Sequence, residues 1–183
     1  MWQKLLLEHK DAILKRWLQL VVETYPADTA ALLKREKDQF VNPVGHTISR
    51  EIEALYDEIL HEMNPDKLTL SLDNIARIRA VQDFSPSQAI AFVFLLKKAI
   101  REQLEGDIRR DLSFEEVWEF EYRIDKVALL AFDIYTKCRE KIYEIKANEL
   151  RDRSKILLER MNLMYGADGS ARRWKAPASD NVI

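Results

Sequence analysis

Along most of the chain apolar residues recur every three or four positions, the spacing that puts them on one face of an α-helix. From Trp2 to Thr24 the stripe is Leu5, Leu6, Ile13, Leu14, Trp17, Leu18, Val21 and Val22. A short helix is predicted from about Thr29 to Glu36, with Asp28 as its cap. Val44, Ile48, Ile52, Leu55, Tyr56, Ile59 and Met63 keep the same period from Pro43 to Met63, opposite a charged face. Between Pro65 and Asp83 the pattern is mixed. Leu68, Leu70 and Leu72 alternate as in a strand, whereas Ile75, Ile78 and Val81 repeat as in a helix, so a turn followed by a helix from about Ser71 is predicted. The run from Ala89 to Leu96 is apolar nearly all round and predicts a central, buried helix.

Proline and glycine divide these segments. Only four glycines occur, two of them (Gly166 and Gly169) near the C-terminus, which leaves the body few positions suited to tight hairpins. Asn42-Pro43, Asn64-Pro65 and Ser85-Pro86 each pair a good capping residue with a proline and mark helix starts. Ser85 and Gln88 form a capping box that opens a helix predicted to end at Gly106. A second box, Ser113 with Glu116, opens a stretch without proline or glycine until Gly166. One helix there would run about fifty residues, on the order of 75 Å at 1.5 Å per residue. Its first half, with Val117, Trp118, Phe120, Ile124, Leu129, Phe132 and Tyr135, is apolar enough to pack in the globule.

In its second half, Tyr143, Ala147, Leu150, Ser154, Leu157, Met161 and Met164 fall at spacings alternating four and three. This is the a/d seam of a coiled coil, flanked by Glu149, Arg151, Arg153, Lys155 and Arg160. Because the seam spans under four heptads, two arrangements stay open: pairing with another helix, or folding back on its own domain. The polar segment after Gly166 reads as disordered. The pattern as a whole predicts an all-α protein, with one domain over residues 1–165, its last helix over about 114–165, and a tail over 166–183.

Composition narrows the function classes. The 183 residues suffice for one core without disulfides or a structural metal. Charged residues make up 33% and apolar residues 47%, as in folded globular proteins. With 29 basic and 31 acidic residues the formal charge is −2, and no general field attracts nucleic acid or anionic lipid. The longest apolar run is far short of the roughly 20 residues that cross a bilayer. The charged N-terminus has no signal-peptide core, so a cytoplasmic location is expected. The basic cluster Arg172-Arg173-Trp174-Lys175 is read as tail without a partner. Cys138, between Ile134 and Ile142 at four-residue spacing, is read as a small buried hydrophobe.

Few residues offer chemistry. His9 lies on the apolar stripe between Leu5 and Ile13 and is read as a structural core histidine. Glu58 and His61 match one Glu-x-x-His element, but a helical di-iron site needs two, so no metal is expected. No phosphate loop, nucleophile elbow or Cys-x-x-Cys pair occurs, and no catalytic residue is nominated.

Two stretches carry a family resemblance: Phe40-Val41-Asn42-Pro43-Val44-Gly45-His46-Thr47 leading into Ile52-Glu53-Ala54-Leu55-Tyr56, and Arg77-Ile78-Arg79-Ala80-Val81-Gln82-Asp83-Phe84-Ser85-Pro86-Ser87-Gln88-Ala89. The chain resembles the N-terminal domain of the RsbT co-antagonist proteins, the RsbR-type sensors of the bacterial stressosome. The resemblance runs from the first helix to about Met164. It implies a globin-like fold without haem, and a dimer whose last helix continues toward a C-terminal STAS domain. No histidine follows His61, which agrees with the lack of a proximal haem ligand. No STAS domain is expected within the chain, and no phosphorylated residue is carried over from one.

The sequence thus predicts a non-catalytic sensor or scaffold module, without cofactor, acting as a homodimer and through an unidentified protein partner. Asn42, Pro43, Gly45, His46, Arg77, Gln82, Ser85, Pro86 and Gln88 are family-motif positions read as structural. Two alternatives remain: a carrier of a small molecule or redox cofactor in an apolar pocket beside Phe92 and Phe94, and an accessory subunit of a larger enzyme complex.

Overall fold

A capping side chain satisfies the first free amides at three of the predicted helix starts. Asn42 Oδ1 accepts from the Gly45 N–H at 2.8 Å, and Asn64 Oδ1 accepts from the Asp66 and Lys67 N–H groups at 3.0 and 3.2 Å. Ser85 Oγ accepts from the Gln88 N–H at 3.3 Å while Gln88 Oε1 accepts from the Ser85 N–H at 3.0 Å, the reciprocal capping box. The computed structural model of the chain describes residues 2–35, 40–82, 84–111 and 114–165. Among them are seven helices and no strand: α1 (Trp2–Glu8), α2 (Lys10–Val22), α3 (Ala27–Arg35), α4 (Pro43–Leu60), α5 (Pro65–Val81), α6 (Pro86–Asp111) and α7 (Phe114–Tyr165). The protein is all-α, as its periodicity predicts.

Several boundaries differ from the expectation. The first helix divides at His9, whose backbone (φ −101°, ψ 11°) leaves the helical range, although amide bonds to Leu5 and from Ile13 bridge the break. α3 starts at Ala27, so Asp28 lies in its first turn and is not its cap. α5 starts at Pro65, not Ser71. Leu68 and Leu72, four apart, are buried, and Leu70 is exposed, so the apparent strand alternation is one helical face interrupted by a solvent position. α6 continues through Gly106 to Asp111; one interior glycine costs only about 1 kcal/mol, which the flanking helix outweighs. The predicted cap Ser113 and the tail 166–183 lie outside the described residues.

α4 packs on α5, and α2 on α6. Trp17 on α2 is fully buried and donates from Nε1 to the Phe92 carbonyl of α6 at 2.7 Å. Tyr56 on α4 donates to the Leu6 carbonyl of α1 at 2.8 Å. As expected for a central helix, Ala89, Ile90, Phe92, Val93 and Leu96 are buried, but Phe94 is half-exposed. The chain divides into two units between Glu140 and Lys141, inside α7. In the first unit α7 presents Phe120, Ile124, Val127, Ala128, Ala131, Ile134 and Tyr135 to the core, and Lys97–Asp125 (2.7 Å) and Arg101–Glu121 (2.6 Å) tie it to α6. Trp118, Leu129 and Phe132, expected to pack there, are exposed because they fall off that face. In the second unit every described side chain from Tyr143 to Leu163 is exposed.

Candidate functional site

The predicted seam lies in the second unit. Tyr143, Ala147, Leu150, Ser154, Leu157 and Met161 share one helical strip and are all exposed, Leu150 by 65% and Leu157 by 59%. The side chain of Met164 is outside the described residues. Beside the strip, Arg153 pairs with Glu149 at 2.7 Å and Lys141 with Glu144 at 2.7 Å. Ile145, Ile156, Leu158 and Leu163 add apolar surface off the strip. Each leucine left in water forgoes roughly 1.5–3 kcal/mol that full burial would contribute.

The family-motif positions fall at two corners of the first unit. At the start of α4, Asn42 is buried; besides capping, its Nδ2 donates to the Leu33 carbonyl of α3 at 3.2 Å. A Cβ on Gly45 would stand 2.3 Å from that Nδ2, so the residue three positions after this cap has no room for a side chain. His46 is exposed and joins the corner through its backbone N–H, which donates to the Asn42 carbonyl at 3.1 Å. At the α5–α6 corner, Pro86 follows Ser85 inside the Ser85–Gln88 capping box, and the Gln82 N–H closes α5 onto the Arg79 carbonyl at 3.3 Å. Arg77 is exposed and pairs with Asp73 at 2.6 Å.

Sequence reasoning missed Arg79, which is fully buried at this corner. Its Nη1 donates to the Gln88 carbonyl at 3.0 Å, and its Nη2 to Thr24 Oγ1 at 3.2 Å. The guanidinium lies 4.9 to 5.4 Å from the ring centres of Phe84, Phe92 and Tyr25, within cation–π range. One charged side chain therefore fastens the end of α2, the end of α5 and the start of α6. Burial pushes its pKa below the usual arginine value, and the same burial pushes the Tyr25 hydroxyl up. From α7, Tyr135 donates to the Phe84 carbonyl and Arg139 to the Ala80 carbonyl. The signal was the spacing: Leu68, Leu72, Ile75 and Arg79 form the buried stripe of α5, whereas Val81, assigned to it from sequence, is exposed.

The candidate chemical groups have local partners. Glu58 pairs with Lys67 at 2.8 Å and accepts the Asn64 N–H at 3.1 Å, and the lysine holds its carboxyl below the usual range. His61 Nδ1 lies 2.8 Å from the Asp57 carbonyl. Among the described residues no three His, Cys, Asp or Glu side chains gather as metal ligands. His9 is half-buried. Cys138 is half-buried too, less enclosed than expected; its thiol lies 3.7 Å from Asp73 Oδ1, and burial with that carboxylate pushes its pKa up. A cavity of about 390 Å³ opens away from Phe92 and Phe94, between α1, the end of α4 and the first turns of α7. No helix among the described residues is long and apolar enough to cross a membrane.

These features define an all-helical domain with a buried polar clasp and a long apolar helix face left in water. The chain belongs to the family of RsbT co-antagonist protein RsbRD N-terminal domains, whose model matches residues 11–150. That family is one of regulatory signalling domains. An uncharacterised protein of Archaeoglobus fulgidus is 28% identical over 115 residues, covering 60% of this chain and 72% of the relative. No solved structure matches the chain significantly.

Proposed function

We propose that this chain is a non-catalytic signalling module that works as a homodimer and passes its signal to a protein partner along the helix from Ala147 to Met164. The observation that carries the reading is the a/d strip on α7, exposed in a member of a signalling family. Isolated helices gain little from propensity alone and rely on packing of an apolar face. A second copy supplies that packing: knobs from Leu150, Leu157 and Met161 enter the holes of the same strip, and the charged flanks stay in water.

Leu150→Asp combined with Leu157→Asp places two carboxylates of each chain in the apolar seam. The double variant is expected to run as a monomer by light scattering, with the helical circular dichroism of the first unit retained. A double variant with the mass of the unmodified dimer would sink the proposal.

A further inference from the structure

Within the first unit α7 is apolar on two opposite faces. Phe120, Ile124, Val127, Ala131 and Ile134 are buried on one; on the other Trp118, Tyr122, Leu129 and Phe132 stand in water, Trp118 exposed by 64% and Leu129 by 70%. With Asp125 and Thr136, these outer positions fall at spacings alternating four and three, the period of a helix that packs along its length on another. Tyr143, the first residue of the seam, follows Thr136 by seven residues. The rings of Trp118 and Tyr122 stack at 6.4 Å. Half-exposed Phe94 of α6 stands beside the strip, since Lys97 Nζ lies 6.0 Å from its ring centre and 2.7 Å from Asp125. The charges within the strip have partners: Lys97 neutralises Asp125, and the Lys126 ammonium lies 4.3 Å from the Tyr122 ring centre.

A buried aromatic side chain removes about 150–250 Å² from water, so Phe94, Trp118, Tyr122 and Phe132, each near half-exposed, leave on the order of 400 Å² in solvent. That is a large apolar patch for a monomer. It is also about half of the roughly 800 Å² per partner that a stable interface buries. We propose that the outer face of α7 from Trp118 to Phe132 is a contact between two copies of this chain, which bury their aromatic strips against each other. The inference rests on the homodimer reading and extends it from the seam, which supplies the remaining area, to the first unit. Because Asp125 and Lys126 already have partners, the face calls for no charged counterpart. A copy of itself offers what it does need, an apolar and aromatic surface, and a two-fold contact sets the same patch on both sides.

Leu129→Glu combined with Phe132→Glu puts carboxylates into that contact, and because both side chains are exposed the core and the seam stay intact. In the full chain, light scattering over a dilution series is expected to show a dimer dissociation constant at least about tenfold higher, with the helical circular dichroism unchanged. A second reading needs only the unmodified chain, labelled with fluorotryptophan, with Trp118→Phe identifying the fluorine signal of that residue. Where the mass is doubled, the Trp118 signal is expected to lose the shift between light and heavy water that marks a solvated ring. In the variant with Leu150→Asp and Leu157→Asp it is expected to regain that shift. A dimer whose constant ignores the two glutamates, or whose Trp118 stays solvated, would overturn this contact, leave the seam dimer standing and assign the strip to a different protein. A monomer at every concentration would overturn both.

Discussion

Arg79 shows what one residue does to this fold. Its fork satisfies acceptors on two separate segments, and three aromatic faces offset part of its desolvation. Lysine keeps the charge but has no planar fork. Arg79→Lys is therefore expected to cost about 1–3 kcal/mol, since a buried acceptor loses its donor, read as a lower midpoint of urea unfolding. A variant as stable as the parent would mean that the clasp contributes packing alone. Gly45 acts through absence of a side chain. Gly45→Ala would drive Asn42 from both the Gly45 amide and the Leu33 carbonyl, at about the 0.5–2 kcal/mol of a lost cap. Thermal unfolding checks this, and an unchanged midpoint would show that Asn42 finds another rotamer. Asn42 and Ser85 were legible as caps because the residue type and the following proline state the mechanism directly. Arg79 was not, because a charged residue inside an apolar period is assigned to solvent unless its partners are known, and Thr24 and Phe92 are remote in sequence.

At the scale of elements, helix starts were more legible than helix ends. Starts are set by local side-chain chemistry at Asn42, Asn64 and Ser85, while α6 passes Gly106 because continued helix outweighs the modest penalty of one glycine. The early start of α5 was hidden by Leu70, an exposed leucine that mimics alternation. The α4–α5 junction makes a further prediction. Glu58, mostly buried, joins Lys67 and the Asn64 amide, and its folded pKa lies below its ordinary value. A carboxyl with a depressed folded pKa contributes stability that is present above its unfolded pKa and lost as pH falls through the folded one. Stability should therefore decline on acidification below the ordinary glutamate range, and Glu58→Gln should flatten that decline. Equal acid sensitivity in the two proteins would assign the effect to other carboxylates.

At the scale of the whole molecule, helical class and family were legible, because each rests on a period or a contiguous motif. The cavity beside Trp2 was not, since its walls come from three segments remote in sequence, Trp2 to Leu6, Leu60 with His61, and Glu116 to Arg123. Glu140 and Lys141 mark where burial on α7 gives way to exposure, and this change gives the proposed function its physical basis. A helix that leaves Leu150, Leu157, Leu158 and Leu163 in water carries surface suited to a partner helix. The most direct test is the mass of the unmodified chain in solution, by light scattering over a series of dilutions. A homodimer gives twice the chain mass of 21.5 kDa, falling only on strong dilution. A mass of 21.5 kDa at every concentration would contradict it.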